Sequence, residues 1–221
     1  MSLYVIATPI GNSNDMGIRA LELLKNSEII ITEERKVGSK LLREFEIKGK
    51  QLEELNEHTN KEELISLVKL CDNNIVCLIS DAGTPGFCDP GADLVKECRK
   101  RNIEVKSVPG PSSLMSLLSV TGIRIDQFYF RGFLSPKTEM RSEEIIALKK
   151  IKVPIILMDT PYRLKKTLMD LEQNDPKRKL ILGLNLSTEN EEVLYGNASK
   201  MLSTLKIEKA EFVLILLNEE V

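Results

Sequence analysis

The sequence predicts an α/β fold: an N-terminal domain built on a parallel sheet, followed by a mixed α+β domain. Three observations carry this. Near-continuous apolar runs, Leu3–Ala7, Glu28–Thr32, Ile75–Ser80 and Val105–Val108, alternate with helical patterns over the first hundred residues. Strands of that kind are buried on both faces, which antiparallel surface sheets are not. The stretch "VPGPSSLMSLLSV", residues 108–120, then interrupts the alternation with two prolines around Gly110. Beyond it the pattern is less regular, so the expected domains are residues 1–111 and 112–221.

Each element has its own signal. Ile18–Lys25 reads as a helix with Leu21 and Leu24 on one face and Asn14 or Asp15 as its cap. Gly38–Phe45 reads as helical and Gln51–Leu55 as a short strand. Lys61–Cys71 repeats Leu64, Leu67, Val68 and Cys71 at i, i+3, i+4 and i+7, and Gly91–Arg101 is a further helix. Ser112 or Ser113 can cap the helix that opens the second domain. There, Gln127–Arg131 is a short aromatic run, and Glu139–Lys150 and Tyr162–Leu171 are helical. Pro154–Met158, Leu180–Leu186, Glu192–Tyr195 and Phe212–Leu217 are strands, the middle two a hairpin across "STEN".

Composition narrows the function. With 31 basic and 33 acidic residues, the net charge of −2 does not give the broad basic footprint of many nucleic-acid binders, although a local patch is compatible with it. Hydrophobic residues make up 42% of the 221, enough for a core. No apolar run reaches the ~20 residues of a membrane span, and the start has no basic region before its apolar part, so a cytoplasmic protein is expected. Cys71, Cys77, Cys88 and Cys98 form no CxxC pair and are expected as small buried hydrophobes; no metal site is expected. His58 is the sole histidine, and no GxSxG elbow accompanies it.

In a parallel sheet, ligands bind beyond the carboxyl ends of the strands. Three loops fall there: Thr8–Asp15, Glu33–Lys36 and Asp81–Gly91. The first, "ATPIGN", lacks the GxGxxG of a dinucleotide turn. In the third, Gly86 and Gly91 have P-loop spacing, but Ala92-Asp93 follow where Lys-Ser or Lys-Thr would meet phosphates. Asp81 and Asp89 would repel such a ligand. The loop "LISDAGTPGFCDPG", residues 78–91, therefore suits a ligand that is not an anion, held against bare main chain. The same composition equally serves a tight turn entering a helix capped by Asp89 or Pro90.

"LYVIATPIGN", "LISDAGTPGFCDPG", "VPGPSSL" and "RGFLSPKTEMR" together resemble the tetrapyrrole-methylase superfamily, in order and over nearly the whole chain. Within it they are most similar to the ribosomal small-subunit methyltransferase I family, which methylates a cytidine ribose 2′-oxygen in small-subunit rRNA; "MDTPYRL" and "NEEVLYG" fall where that family has related segments. The resemblance implies a two-domain tetrapyrrole-methylase-like fold with S-adenosylmethionine in the cleft between the domains, small-subunit ribosomal RNA as partner, and a homodimer. By motif it implies that Pro9, Asp81, Ala82, Gly83, Ser112, Ser113 and Met158 bind the cofactor. Glu33, at a strand end, is a candidate base, and Lys137 in "GFLSPK" a candidate stabiliser of the ribose alkoxide. Arg35, Lys36 and Arg141 are candidates for substrate binding, with Lys137 and Arg141 placed to contact phosphates. Read without the resemblance, these are a solvated strand end and ordinary charged loop and helix residues.

The sequence departs from the family in three places. The usual Glu-Asp-Thr-Arg after the second strand is Glu33-Glu34-Arg35-Lys36 here, Asn56 replaces a histidine near His58, and the Arg-Glu-Leu-Thr-Lys run is "LNLST", residues 184–188. Leu184 and Thr188 each remove a cation and Asn185 an anion. A small-molecule or protein acceptor, or a cofactor-binding protein without turnover, are the competing readings.

Overall fold

The computed structural model describes residues 1–218 and divides the chain into two compact units, Met1–Ser112 and Ser113–Val221. The first contains β1 (Ser2–Ile6), α1 (Ile18–Asn26), β2 (Ile29–Thr32), α2 (Arg35–Glu44), β3 (Gln51–Glu54), α3 (Lys61–Asn73), β4 (Ile75–Ile79), α4 (Ala92–Lys100) and β5 (Glu104–Val108). Its strands form one all-parallel sheet in the order β3-β2-β4-β1-β5.

The apolar runs follow from this arrangement. On one face Leu3, Ile29, Ile31, Val76 and Leu78 pack with Leu67, Val68 and Cys71 of α3 and Leu94 and Cys98 of α4. On the other, Ile6, Ile30, Cys77 and Ile79 pack with Ala20 and Leu24 of α1 and Leu42 of α2. Successive strand residues point to opposite faces, so a strand covered on both sides must be apolar at every position. Every residue of β2 is buried.

Local chemistry sets the helix starts. Asn60 and Glu63 make a full capping box at α3. At α1 the expected cap is corrected: Gly17 is the N-cap residue without a side-chain bond, and Asn12 instead caps the short 3-10 turn Ser13–Asp15 by accepting from Asn14 N. At α4 neither Asp89 nor Pro90 caps; Gly91 does, at φ 143. A Cβ there would come within 3.1 Å of Leu78 Cδ2 and 3.3 Å of Gly86. Glycine thus lets the loop after β4 fold tightly against that strand. Cys71, Cys77 and Cys98 are buried as expected, but Cys88 is exposed on that loop.

The second unit contains α5 (Ser113–Val120), β6 (Tyr129–Gly132), α6 (Thr138–Leu148), β7 (Ile155–Asp159), α7 (Leu164–Asn174), β8 (Leu180–Leu184), β9 (Glu192–Gly196), α8 (Ala198–Thr204) and β10 (Phe212–Leu216). Its sheet, β6-β7-β10-β8-β9, is mixed: β6 pairs with β7 in parallel and the other neighbours are antiparallel, including the β8–β9 hairpin. Strand β8 stops at Leu184 rather than Leu186, because Asn185 at φ 46 and Ser187 at φ 69 turn the chain out of the sheet and Thr188 N–H closes the turn on Asn185 O. Leu184 and Leu186 are both buried.

Candidate active site

The loops after β1, β2, β3 and β4 all leave the sheet of the first unit at its carboxyl edge. Thr8, just past β1, and Gly83, past β4, exchange both main-chain hydrogen bonds, N–H to O at 2.8 and 3.1 Å. The Thr8 hydroxyl also donates to Ser80 O at 3.1 Å. Gly83 has φ 80, a left-handed conformation that a residue with a side chain would adopt only under strain. This ties Pro9, Asp81, Ala82 and Gly83 into one stretch of main chain at the strand ends. Ser112 lies at the end of the same unit, Ser113 opens α5, and Met158 is the penultimate residue of β7. All three are partly exposed.

On the other side of β4 lies a crevice of about 650 Å³. Glu33 and Glu34 reach it from the end of β2, Glu57 and His58 from the loop after β3, and Asp81 and Asp89 from the loop after β4. It is an acidic site. Glu34 N donates to Asp81 Oδ1 at 3.2 Å, joining two of the loops. Burial, and then the charges of Asp89 and Asp81, push the Glu33 carboxyl from an ordinary 4.5 up to about 7. Burial and the Asp81 charge raise Asp89 to about 6, and burial raises Asp81 as well. A carboxylate with a pKa near neutrality at a strand end is suited to accept a proton. His58 is exposed, 3.7 Å from Glu57. Among the described residues no group of three or more His, Cys, Asp and Glu is arranged to hold a metal ion.

The other expected site residues fall as follows. Arg35 opens α2 with its guanidinium 3.6 Å from Glu54 and 3.8 Å from Glu53, so β3 carboxylates already engage it. Lys36 is exposed on α2. Lys137 is the N-cap residue of α6, exposed, with its N–H donating to the Ser135 hydroxyl. Its loop is held by Glu144, which accepts from Ser135 N at 2.8 Å and pairs with Arg131 at 2.9 Å. Arg141 requires a correction. It is wholly buried between α6 and α7, with Nε 2.6 Å from Asp170 Oδ2, and offers nothing to an outside phosphate. The hydrophobic register of α6 shows why: Arg141 lies four residues before Ile145 and shares its buried face. The sequence reading did not count Asp89 or Glu57 among site residues. The position of Asp89 on the Gly-Pro loop was the available signal; Glu57 had none.

An all-parallel α/β unit with a main-chain loop at β1 and β4 and an acidic, phosphate-repelling crevice beside it fits an enzyme that handles a cationic or neutral donor. Comparison with known proteins gives the class. Residues 2–202 match the family described as Tetrapyrrole (Corrin/Porphyrin) Methylases. The chain belongs to that family and is a methyltransferase. It is 36% identical over 220 residues to "Ribosomal RNA small subunit methyltransferase I" of Neisseria meningitidis serogroup B, covering 97% of this chain and 75% of that one. With the protein of the same name from Thermotoga maritima it shares 34% identity over 221 residues, 99% of both chains. Among solved structures, diphthine synthase superposes with a TM-score of 0.82 at 15% identity, covering 99% of this chain and 90% of that one. The methyltransferase CobJ gives 0.68 at 11%, covering 99% and 94%. At such identities these two speak for the fold alone.

Proposed function

We propose that this chain transfers a methyl group from S-adenosylmethionine to the ribose 2′-oxygen of a cytidine in small-subunit ribosomal RNA. Relatives at 34% and 36% identity are named ribosomal RNA small subunit methyltransferase I, which supports an rRNA acceptor. The observation that carries the reading is Glu33, a strand-end carboxylate raised to about 7 within an otherwise acidic crevice.

The residues fit the donor. Among the described residues the crevice lining includes no lysine or arginine, so a positively charged sulfonium is favoured beside Asp81, whereas a polyphosphate would meet Glu33, Asp81 and Asp89. When bound, the donor supplies an electrophilic methyl whose departure leaves a neutral thioether, so no acid is needed. Pro9, Asp81, Ala82, Gly83, Ser112, Ser113 and Met158 would hold it. Alignment of hydroxyl and methyl contributes roughly 7–11 kcal/mol in well-oriented systems. Glu33 takes the hydroxyl proton as the C–O bond forms, and Lys137 stabilises charge on the ribose oxygen. Arg35 and Lys36 contact the RNA; Arg141 has no part in it. In this reading the protein is a cytoplasmic homodimer.

Incubating the purified chain with methyl-labelled donor and small subunits from a strain lacking this gene is expected to place label on one cytidine ribose. Label at another position, or none in RNA, would overturn the reading. One observation favours a second acceptor class, a small molecule or protein: residues 184–188 carry no charged side chain, and Leu184 is buried. Label in either of those fractions instead of RNA would support it.

A further inference from the structure

The exposed face of α2 has no role in the fold or in the crevice chemistry. Helix α2 buries Gly38 and Leu42 against the sheet. Lys36, Lys40 and Arg43, at i, i+4 and i+7, lie together on its exposed side. Among the described residues none of the three makes an ion pair with a carboxylate, in contrast to Arg35 beside them. With Val37 and Glu34 they line a groove of about 410 Å³. Glu34 also lines the acidic crevice, so groove and crevice meet at the start of α2.

We infer that Lys36, Lys40 and Arg43 form a track for the phosphodiester backbone of the RNA, leading its ribose into the crevice beside Glu33. The inference rests on the RNA reading above. The stripe runs for about 10 Å along the helix, at 1.5 Å per residue, enough for more than one phosphate. Charge is sorted along this path. Three cations face the groove, while the crevice at its end carries Glu33, Asp81 and Asp89 and excludes phosphate. A polyanion thus has one favourable lie, with its backbone on α2 and a neutral sugar at the carboxylates. The near-neutral net charge of the chain is compatible with this, because the stripe is local.

The test compares the wild type with the Lys40→Ala/Arg43→Ala double variant and the charge-retaining Lys40→Arg/Arg43→Lys variant. Binding is read by anisotropy of a fluorescent single-stranded fragment of small-subunit rRNA over a salt series, and turnover is read on small subunits. Two lost phosphate contacts lower the salt slope by about 1.4 and weaken binding about tenfold at 0.1 M salt. KM for the subunit rises accordingly, with kcat and donor affinity unchanged, and the charge-retaining variant restores binding. An unchanged slope in the alanine variant, or competition by polyglutamate as effective as by RNA, overturns the track. If the wild type neither binds nor methylates RNA, the RNA reading itself fails, which is a different result from wild-type binding that the variants leave intact.

Discussion

Replacing Glu33 with glutamine is expected to lower the methyl-transfer rate by about 10²–10⁴-fold, the usual contribution of a positioned general base, while donor affinity stays near that of the wild type. Glutamine keeps the shape and removes the proton acceptor. The pH profile carries the diagnostic part. Only the ionised carboxylate accepts a proton, and its pKa is about 7. The wild-type rate should therefore rise about tenfold per unit below pH 7 and level off above it, and the variant's residual rate should lack that limb. Single-turnover rates measured between pH 5.5 and 9 check both.

The same carboxylate should cost stability. Glu33 and Asp89 have folded pKa values above their ordinary ones, so the folded chain binds more protons than the unfolded chain between about pH 4 and 7. Their contribution is full below that window and is lost as the pH rises through the folded values. Glu33→Gln should then melt higher than the wild type at pH 8, by about 2–4 °C if the effect, discounted for partial exposure, is about 1 kcal/mol. At pH 4 the two should coincide. A catalytic group held at an unfavourable charge is expected to show this opposition of activity and stability.

The second large effect is on the fold. Arg141→Ala should destabilise the second unit by about 3–5 kcal/mol, because it leaves Asp170 buried without its partner. For a chain of this size that is a fall in Tm of about 6–20 °C. The guanidinium lies 2.6 Å from Asp170 by its Nε, yet among the described residues none of its three nitrogens, nor Asp170 Oδ2, makes a hydrogen bond of good geometry. The pair is therefore poorly repaid for its desolvation, and the double replacement Arg141→Met with Asp170→Leu should recover most of the loss or exceed the wild type. Thermal unfolding of the two variants checks this. An RNA-contacting arginine would give the opposite pattern, with normal melting and weakened RNA binding.

These two residues mark how far the sequence could be read. Strands covered on both faces leave a continuous apolar signature, so the runs at Leu3, Ile29 and Ile75 and their parallel sheet were legible. The Gly-Pro loop after β4 was legible as a tight turn entering a helix at a strand end, and Glu33 as a strand-end carboxylate. Arg141 was not, because a charge inside a charged-looking helix start is indistinguishable from a surface charge until its partner, 29 positions on at Asp170, is brought beside it. Asn14 and Asp15 were misjudged as caps of α1 for a local reason: they lie inside a short 3-10 turn that precedes the helix, and Gly17 then takes the N-cap position. Glu57 was missed because it lies in the loop after β3, which only the sheet order β3-β2-β4 brings beside the loops that carry Glu33, Asp81 and Asp89.

The proposed reaction requires a crevice and loop that accept a sulfonium nucleoside and refuse phosphates. Calorimetric titration of the purified chain with S-adenosylmethionine, with its demethylated product and with ATP tests this most directly. The two donor-related compounds should bind at the same site, each displacing the other, and ATP should give no heat and no competition. Saturable ATP binding with no response to either of the others would contradict it.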